Sequence, residues 1–251
     1  FRSSQMALVT SHGFAGAYAG TAHSTYASVL AGSGADMQRD HASHSVRHLE
    51  DLDDAEAIGV RAGQRAVARM KPMRIDSGVM PIIFDPRVGS SLIGHMMSGI
   101  VGPAIARRSS FLLDALGEAL FDSAVTIIDD PLRPRGLRSR PFDGEGLPTA
   151  KRALIDRGVL TGWLLDSASA RQLGLSPTGH ASRGASGSPG AGVSNVHMEA
   201  GDITPGELMA DVKRGLYITE LIGMGVNMVT GDYSRGASGF LIEKDSFMRP
   251  V

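Results

Sequence analysis

A glycine-rich segment near the end of the chain, residues 231–239, holds the side chains best suited to chemistry. Its glycines enclose a carboxylate, a phenol, hydroxyls and a guanidinium. The four that we single out are Asp232, Tyr233, Ser234 and Arg235. Apolar runs at residues 226–229 and 240–242 flank the segment, which predicts a strand, a tight bend and a second strand. The polar side chains would then lie at the edge of a sheet and contact a ligand there, and an ordinary hairpin is the alternative.

Three histidines, His41, His44 and His48, are spaced so that they would share one face of a helix. That arrangement would suit a metal site. On a strand, however, His41 points away from the other two, and no acid accompanies them at matching spacing. We therefore expect no metal at these histidines.

A hydrolase that uses a serine nucleophile would need Ser234 or Ser238 beside a histidine and an acid. His180 and His197 are available, but no nucleophile-elbow motif is present. The sequence therefore gives little support to a serine hydrolase.

Two charged clusters lie in predicted loops. The first is a set of four arginines, Arg133, Arg135, Arg138 and Arg140. They are either a solvated loop or an anion or peptide-carboxylate contact, because arginine forks bind carboxylates. The second, Asp143 and Glu145, is either an acid–base pair or two turn residues between glycines, and the turn is the simpler explanation.

Composition limits the classes of protein that this chain can belong to. It has 251 residues, 42% of them hydrophobic, a net charge of −1 and no cysteine. The charge does not favour nucleic-acid binding, and the lack of cysteine excludes disulfides and thiolate metal ligands within this chain. No run of about 18 uncharged apolar residues is present, so we expect no membrane span. A cytoplasmic location fits these features.

The hydrophobic patterns predict an α+β protein. The N-terminal part should be α/β with an antiparallel sheet and helices, and the C-terminal part mainly β, barrel-like or sandwich-like, with short helices. We expect strands at 6–10, 16–21, 26–30, 79–84, 125–128, 195–199, 216–222, 226–229 and 238–243. Helices are expected from Asp53, capped with Glu56, and at 88–105, 111–120 (a helix or helical turn), 167–173 and 204–214, with a hairpin at 151–165.

Three segments together, residues 176–181, 219–226 and 231–239, resemble the TldD/PmbA family, on its PmbA (TldE) side. This family is known as modulator of DNA gyrase and is implicated in proteolysis. The resemblance covers nearly the whole chain and is densest from about residue 81 to 243. It implies that residues 1–108 are the remainder of an N-terminal α/β domain and residues 109–251 a mainly-β C-terminal domain, both shorter than is usual for the family.

The resemblance also implies which residues do not carry catalysis. In the TldD branch, the helix equivalent to residues 88–105 carries His-Glu-x-x-x-His, which binds zinc and supplies a general base. When this motif is aligned on His95, Met96 takes the place of the glutamate and Ile100 that of the second histidine. Methionine cannot abstract a proton, and isoleucine cannot ligate zinc. We therefore expect no catalytic residue, metal or cofactor in this chain, with zinc in a TldD-type partner.

The expected function is that of a PmbA/TldE-like subunit in a TldD/TldE-type zinc metallopeptidase acting on unfolded peptides. The isolated chain should be inactive, and it should pair with a TldD-like zinc subunit as a heterodimer, or with itself as a homodimer. Candidate peptide or partner contacts are Thr219, Glu220, Asp232, Tyr233, Ser234, Arg235 and His180. The alternative is a stand-alone regulatory or binding protein of the gyrase-modulator type, without peptidase activity.

Overall fold

The structure, a computed structural model, describes residues 1–184, 186–243 and 246–251. Helices account for 21% of it and strands for 33%, which confirms the predicted α+β class. The sheets formed by the described residues are open, and none closes into a barrel. Residues 185, 244 and 245 lie outside the described residues. No helix in the described part of the chain has the length and apolar character that crossing a bilayer requires.

Thirteen strands and five α-helices are present among the described residues. The strands are β1 (Arg2–Val9), β2 (Ala15–Ala31), β3 (Gln38–Val46), β4 (Ile82–Phe84), β5 (Ile127–Asp129), β6 (Arg152–Asp156), β7 (Val159–Leu160), β8 (Ala181–Ser182), β9 (Gly190–Ala191), β10 (Val196–Met198), β11 (Arg214–Ile222), β12 (Gly236–Glu243) and β13 (Ser246–Pro250). The helices are α1 (Ala55–Ala68), α2 (Pro86–Gly99), α3 (Gly102–Ala106), α4 (Ser167–Leu173) and α5 (Pro205–Ala210).

The chain divides into two compact units, each built from separate stretches of sequence. The first unit contains Phe1–Ala22, Gly94–Ala200 and Val226–Asp232. The second unit contains His23–Ile93, Gly201–Gly225 and Tyr233–Val251. The predicted domain boundary at residue 108 stays a prediction.

In the second unit, β3 pairs antiparallel with the later half of β2, and α1 covers one face of the pair. Ala42, Ile58 and Ala62 form a buried cluster there. The regular spacing of Ile58, Ala62 and Ala66 predicts this buried stripe, since residues four apart share a helix face. The two predicted strands 16–21 and 26–30 are one continuous strand, β2.

The N-cap of α1 is Asp54, not the predicted Asp53. The Asp54 side chain accepts hydrogen bonds from the backbone N–H groups of Glu56 and Ala57. Asp53 instead pairs with Arg61, with 3.1 Å between Oδ2 and Nη2. Adjacent aspartates both have the chemistry of a cap, and the backbone geometry at Asp54 decides between them.

The other sheet of the second unit has the strand order β13-β12-β11-β4. Strand β11 is antiparallel to β12 and parallel to β4, and its register shifts at Thr219, between Ile218 and Glu220. Helix α5 begins at a Thr204 capping box with Glu207, as predicted from Thr204-Pro205, but it ends at Ala210 rather than Arg214.

In the first unit, β5 and β6 form the centre of the sheet β10-β5-β6-β7. The predicted hairpin is present, and its turn uses Arg157 and Gly158, both with positive φ. Such a turn matches the twist of an antiparallel pair. Trp163 is buried and lies beyond the short strand β7. Helix α4 has the bounds expected, with Asp166 as N-cap and Gly174 as the left-handed residue after it.

Two predicted elements of the first unit or its borders are wrong, and a third takes the second of its two predicted forms. Residues 226–229 form a turn, because the Asn227 side chain accepts from the amides of Val229 and Thr230 and competes with strand pairing. Residues 111–120 form turns rather than a helix, which agrees with the predicted alternative of a helical turn. The predicted helix 88–105 is two helices, α2 and α3, with Pro103 in the first turn of the second.

Candidate functional site

The positions equivalent to the zinc motif lie at the C-terminal end of α2 and, for Ile100, directly after it, and they do not form a metal site. Met96 and Ile100 are buried in the apolar core of the first unit, and Ile100 is 0% exposed. His95 is half-buried beside them. Among the described residues, no group of three or more histidine, cysteine, aspartate or glutamate side chains could hold a metal ion. The donor set here therefore does not fit zinc.

The second unit contains an open pocket of about 370 Å³, which we call the arginine pocket. It is lined by Tyr26, Arg39, Asp40, His41, Arg69, Arg87, Val88, Ser91, Thr219, Glu220, Leu221 and Arg235. Strand β3, helix α2 and strand β11 supply most of these residues, and Arg69 directly follows the last residue of α1. Four guanidinium groups and two carboxylates therefore face one volume.

A network of ion pairs forms the floor of the arginine pocket. The Asp40 carboxylate is 5% exposed and accepts from Arg87 Nη1 at 2.9 Å. Arg69 lies between two acids: its Nη2 donates to Glu220 Oε2 at 2.5 Å, and its Nη1 lies 3.8 Å from Asp40 Oδ2. Asp85 holds the other edge of Arg87, with 3.0 Å between Oδ1 and Nε. The guanidinium groups of Arg69 and Arg87 are thus held in one orientation by acids on both sides.

This network shifts the pKa values of its members. Burial alone would raise the pKa of Asp85, but hydrogen bonds from Arg87 and Tyr217 outweigh it and lower that pKa. Burial likewise opposes the charged form of Arg87, yet the pairing with Asp85 and Asp40 raises its pKa. Burial and the neighbouring Asp85 charge raise the pKa of Tyr217 to about 12. Asp85 and Arg87 are therefore ionised at neutral pH, and Tyr217 is neutral.

The structure places three of the predicted contact residues together. Thr219, Glu220 and Arg235 all line the arginine pocket. The register shift of β11 lies at Thr219. This residue is buried, and its Oγ1 donates to the carbonyl oxygen of Ser238 at 3.4 Å. Arg235 Nε donates to the carbonyl of Ile222.

The other predicted residues of the glycine-rich segment do not line that pocket. Asp232 accepts a hydrogen bond from Thr230 Oγ1 at 2.6 Å, within the first unit. Tyr233 is 41% exposed, and the amide of Ser234 donates to Gly225 O at 2.7 Å. Among the described residues, neither Ser234 nor Ser238 forms a hydrogen bond with a histidine, so no serine–histidine pair arises there.

His180, the remaining predicted contact, lies in a buried polar cluster of the first unit. Its Nε2 lies 3.3 Å from Asp129 Oδ2, and its Nδ1 lies 2.8 Å from Thr178 Oγ1. Asp129 also accepts from the amide and hydroxyl of Ser194. Burial alone would raise the pKa of Asp129, but the hydrogen bonds from His180 and Ser194 lower it. Both Thr178 and His180 line a separate pocket of about 490 Å³ beside Trp163.

Two further groups of predicted candidates have structural roles. The Asp143 carboxylate accepts from the amides of Glu145, Leu147 and Ala181, and Glu145 accepts from Ser167. These acids are thus turn residues, as the simpler explanation held. The histidines of β3 lie on an extended segment, where His41 is exposed on the face opposite Ala42. His44 accepts from the amide of Asp53.

No sequence motif points to Asp40, Arg69 and Arg87, which form the floor of the arginine pocket. They lie on β3, at the C-terminal end of α1 and at the start of α2, so no local motif connects them. The only short-range signal is Asp85, whose carboxylate accepts from the Arg87 amide two residues later.

Comparison with known proteins places these features in a family. The model of the PmbA/TldA metallopeptidase C-terminal domain matches residues 77–251, and that of the central domain matches residues 1–70. The chain is 39% identical over 241 residues to metalloprotease PmbA of Escherichia coli, and 34% identical over 243 residues to a PmbA homologue of Haemophilus influenzae. Each match covers 96% of this chain and 52% of the relative, so the chain spans about half the length of these relatives.

Solved structures give the same grouping. A protein proposed to be a modulator of DNA gyrase from Bacteroides thetaiotaomicron matches with a TM-score of 0.90 and 30% identity, over 99% of this chain and 55% of that one. TldE from Thermococcus kodakarensis matches with a TM-score of 0.87 and 25% identity, over 99% of this chain and 57% of that one.

Proposed function

The chain belongs to the PmbA/TldD family of metallopeptidases, and from this premise we propose that it is a non-catalytic, PmbA/TldE-like part of a peptidase assembly. In that assembly a TldD-like subunit would hold the zinc, and this chain would handle unfolded peptide. The observation that carries the proposal is the burial of Met96 and Ile100, the residues at two positions of the zinc motif.

The chemistry of those two side chains supports the absence of catalysis. Zinc in a peptidase needs histidine or carboxylate ligands, and bond cleavage needs a base to activate water. A thioether and an aliphatic side chain supply neither function. Both side chains pack into the core, so a small movement of the backbone there would not bring a zinc ligand into position.

Features of the second unit support a role in peptide handling. Strand β3 is the outer strand of its sheet, so one edge has no strand partner among the described residues. An extended peptide can add to such an edge through backbone hydrogen bonds, which do not depend on its sequence. Arg39 and His41 of this strand line the arginine pocket, together with Thr219, Glu220 and Arg235. We propose that the latter three contact peptide.

The remaining expectations belong to the same proposal. Asp232, Tyr233, Ser234 and His180 are candidate contacts for peptide or for the partner. We propose a heterodimer with the zinc subunit, a homodimer when the chain is alone, and a cytoplasmic location. No nucleic-acid or membrane partner is expected.

A stand-alone regulatory protein is the second candidate function. It is favoured by the similarity to the Bacteroides protein proposed as a modulator of DNA gyrase. In that case the chain would bind its target without any peptidase partner.

Zinc content and cleavage of casein distinguish these functions. We expect no stoichiometric zinc and no cleavage by the chain alone, and cleavage after it is mixed with a TldD-like subunit. A mixture whose zinc subunit carries glutamine in place of the motif glutamate is the matched control and should be inactive. Zinc binding with cleavage by the isolated chain would contradict the proposal, and an inert mixture would favour the regulatory function.

A further inference from the structure

The pocket beside Trp163 lies wholly within the first unit and is lined mainly by apolar side chains. Leu154, Trp163 and Leu165 are buried, whereas Leu116 and Leu175 are each 49% exposed. The pocket volume of about 490 Å³ lies within the range of pockets that hold small ligands. None of the described residues that line it is acidic, so the pocket does not suit a cation. An apolar occupant would remove the exposed leucine surface from water.

Three polar side chains of this lining already have partners within the protein. Thr178 Oγ1 accepts from the amide of Leu165 at 2.8 Å and lies 2.8 Å from His180 Nδ1. The other ring nitrogen of His180 lies 3.3 Å from Asp129 Oδ2, and Thr161 Oγ1 donates to a backbone carbonyl of β6 at 2.7 Å. A polar ligand would have to replace these hydrogen bonds, whereas an apolar ligand leaves them intact.

The unpaired polar groups of the lining differ in their surroundings. The side chains of Arg152 and Ser176 have no partner in the described part of the chain, but both residues are exposed to water. Trp163 is only 8% exposed, and its indole N–H forms no hydrogen bond with any described residue. A nearly buried donor without an acceptor is unfavourable, and the indole nitrogen can only donate. A ligand that joins an apolar group to one acceptor therefore suits this site.

Backbone hydrogen bonds fix the walls of the pocket. The amide of Thr178 donates to the carbonyl of Leu165 at 3.2 Å, and the amide of Leu175 donates to the carbonyl of Ala170 at 2.9 Å. Gly174, which follows α4 in the left-handed conformation, lets the chain turn between these contacts. Because the pocket is formed before a ligand arrives, binding costs little conformational entropy of the protein.

We propose that the pocket beside Trp163 binds a large apolar side chain of an extended peptide, of the size of leucine or phenylalanine. The indole N–H of Trp163 donates to a carbonyl of the same peptide, and Thr178 and His180 form part of the wall. This inference rests on the proposed role in peptide handling and adds which side chains the chain selects. Such a selection favours unfolded peptides, because folded proteins bury most of their large apolar side chains.

The fluorescence of Trp163 reports on the occupant, since it is the only tryptophan of the chain. N-acetyl-leucinamide is titrated into the full chain, and the amides of N-acetyl-alanine and N-acetyl-asparagine are controls with the same backbone groups. We expect a saturable change in emission with the leucine amide. Binding of the alanine amide should be at least about tenfold weaker, because it buries three fewer carbon atoms.

The asparagine amide separates polarity from shape, because its side chain resembles that of leucine in outline but is polar. It should bind no more tightly than the alanine amide. Equal binding by all three amides, or the lack of a saturable change with the leucine amide, would overturn the proposal.

Gly162 offers a way to fill the pocket without displacing its walls. It lines the pocket, and a Cβ atom there would meet nothing within 4 Å. We expect Gly162→Leu to weaken binding of the leucine amide at least about tenfold, because the new side chain occupies the same space. Gly59→Leu is the matched control, since Gly59 lies on α1 in the second unit and also has open space at Cβ.

The control variant should bind the leucine amide as the unchanged protein does. Binding that survives in Gly162→Leu, with an unchanged melting curve, would overturn the assignment to this pocket. The comparison of the three amides uses the unchanged protein and therefore decides the proposal even if Gly162→Leu does not fold.

Peptides separate this inference from the proposed function. Fluorescence anisotropy measures the binding of two labelled extended peptides that differ only in a central leucine or alanine. Tighter binding of the leucine peptide, lost in Gly162→Leu, supports both proposals. A saturable response of Trp163 to the leucine amide without binding of either peptide supports the pocket and counts against peptide handling. Equal binding of the two peptides, without any response of Trp163, would leave peptide handling standing and overturn the pocket.

Discussion

Asp129 shows how much depends on a single buried side chain. Its carboxylate is 1% exposed and receives hydrogen bonds from His180 and from both the amide and the hydroxyl of Ser194. A buried anion is stable only with such partners. The cluster joins β5 to the segments that carry Thr178 and Ser194, and thereby shapes one wall of the pocket beside Trp163.

Replacing Asp129 should therefore be strongly destabilising. We expect Asp129→Asn to lower the free energy of unfolding by about 3 kcal/mol, because the amide nitrogen faces donors that the carboxylate accepted. Urea unfolding followed by circular dichroism measures the change. Asp156→Asn is the control, since that carboxylate is 55% exposed and 4.0 Å from Arg157, and it should change stability by less than about 0.5 kcal/mol. Equal effects in the two variants would show that the Asp129 cluster contributes little.

Acid should destabilise the protein through the same carboxylate. The pKa of Asp129 is lowered in the folded state, so the unfolded chain binds the proton more readily. The stabilisation is fully present above the unfolded pKa of about 3.9 and is lost as the pH falls towards the lower, folded pKa. We expect the melting temperature to fall below about pH 4, and to fall less steeply in Asp129→Asn than in the unchanged protein. Parallel pH profiles would assign acid sensitivity to other groups, of which Asp85 is one.

Strand β12 has a glycine against which the backbone of β11 packs closely, whereas helix α1 has a glycine with open space around it. A Cβ atom at Gly239 would collide with the backbone carbonyl of Tyr217 on β11, opposite the register shift. Gly63 lies within α1, and a Cβ there would meet nothing within 4 Å. The same substitution should thus have opposite effects in the two elements.

We expect Gly239→Ala to lower the free energy of unfolding by about 2 kcal/mol, since the strands must separate to make room. Gly63→Ala should raise it by about 0.5–1 kcal/mol, the difference in helix propensity between glycine and alanine. Thermal and urea unfolding of the two variants check both signs. A neutral Gly239→Ala variant would mean that β11 and β12 adjust without strain.

The net charge of the molecule as a whole does not favour the binding of nucleic acid. Its net charge is −1, and four of its arginines line one pocket, where two of them pair with Asp40, Asp85 and Glu220. Non-specific binding of DNA depends on many lysine and arginine contacts to phosphates.

We expect no electrophoretic shift of duplex DNA by the chain at up to about 10 μM protein and near-physiological salt. A basic protein of similar size serves as the positive control. A salt-sensitive shift by this chain would contradict the expectation and strengthen the regulatory function at the expense of peptide handling.

Local interactions explain which parts of the structure could be predicted. The buried stripe of α1, the helix α4 between Asp166 and Gly174, and the hairpin turn at Arg157 and Gly158 each depend on residues only a few positions apart. The absence of zinc ligands at Met96 and Ile100 also follows from residue type alone, since no fold can give a methionine or an isoleucine the chemistry of a histidine.

Only the tertiary structure brings the arginine pocket together. Arg87 meets Asp40 across 47 positions of sequence, and Arg69 meets Glu220 across 151. The apolar run at residues 226–229 likewise predicts a strand but forms a turn, because the Asn227 side chain accepts hydrogen bonds from the amides that strand pairing would need. Hydrophobic spacing and helix capping involve residues only a few positions apart, so they can be recognised in the sequence. The pairing of distant charges depends on which strands and helices pack side by side, and the whole fold decides that.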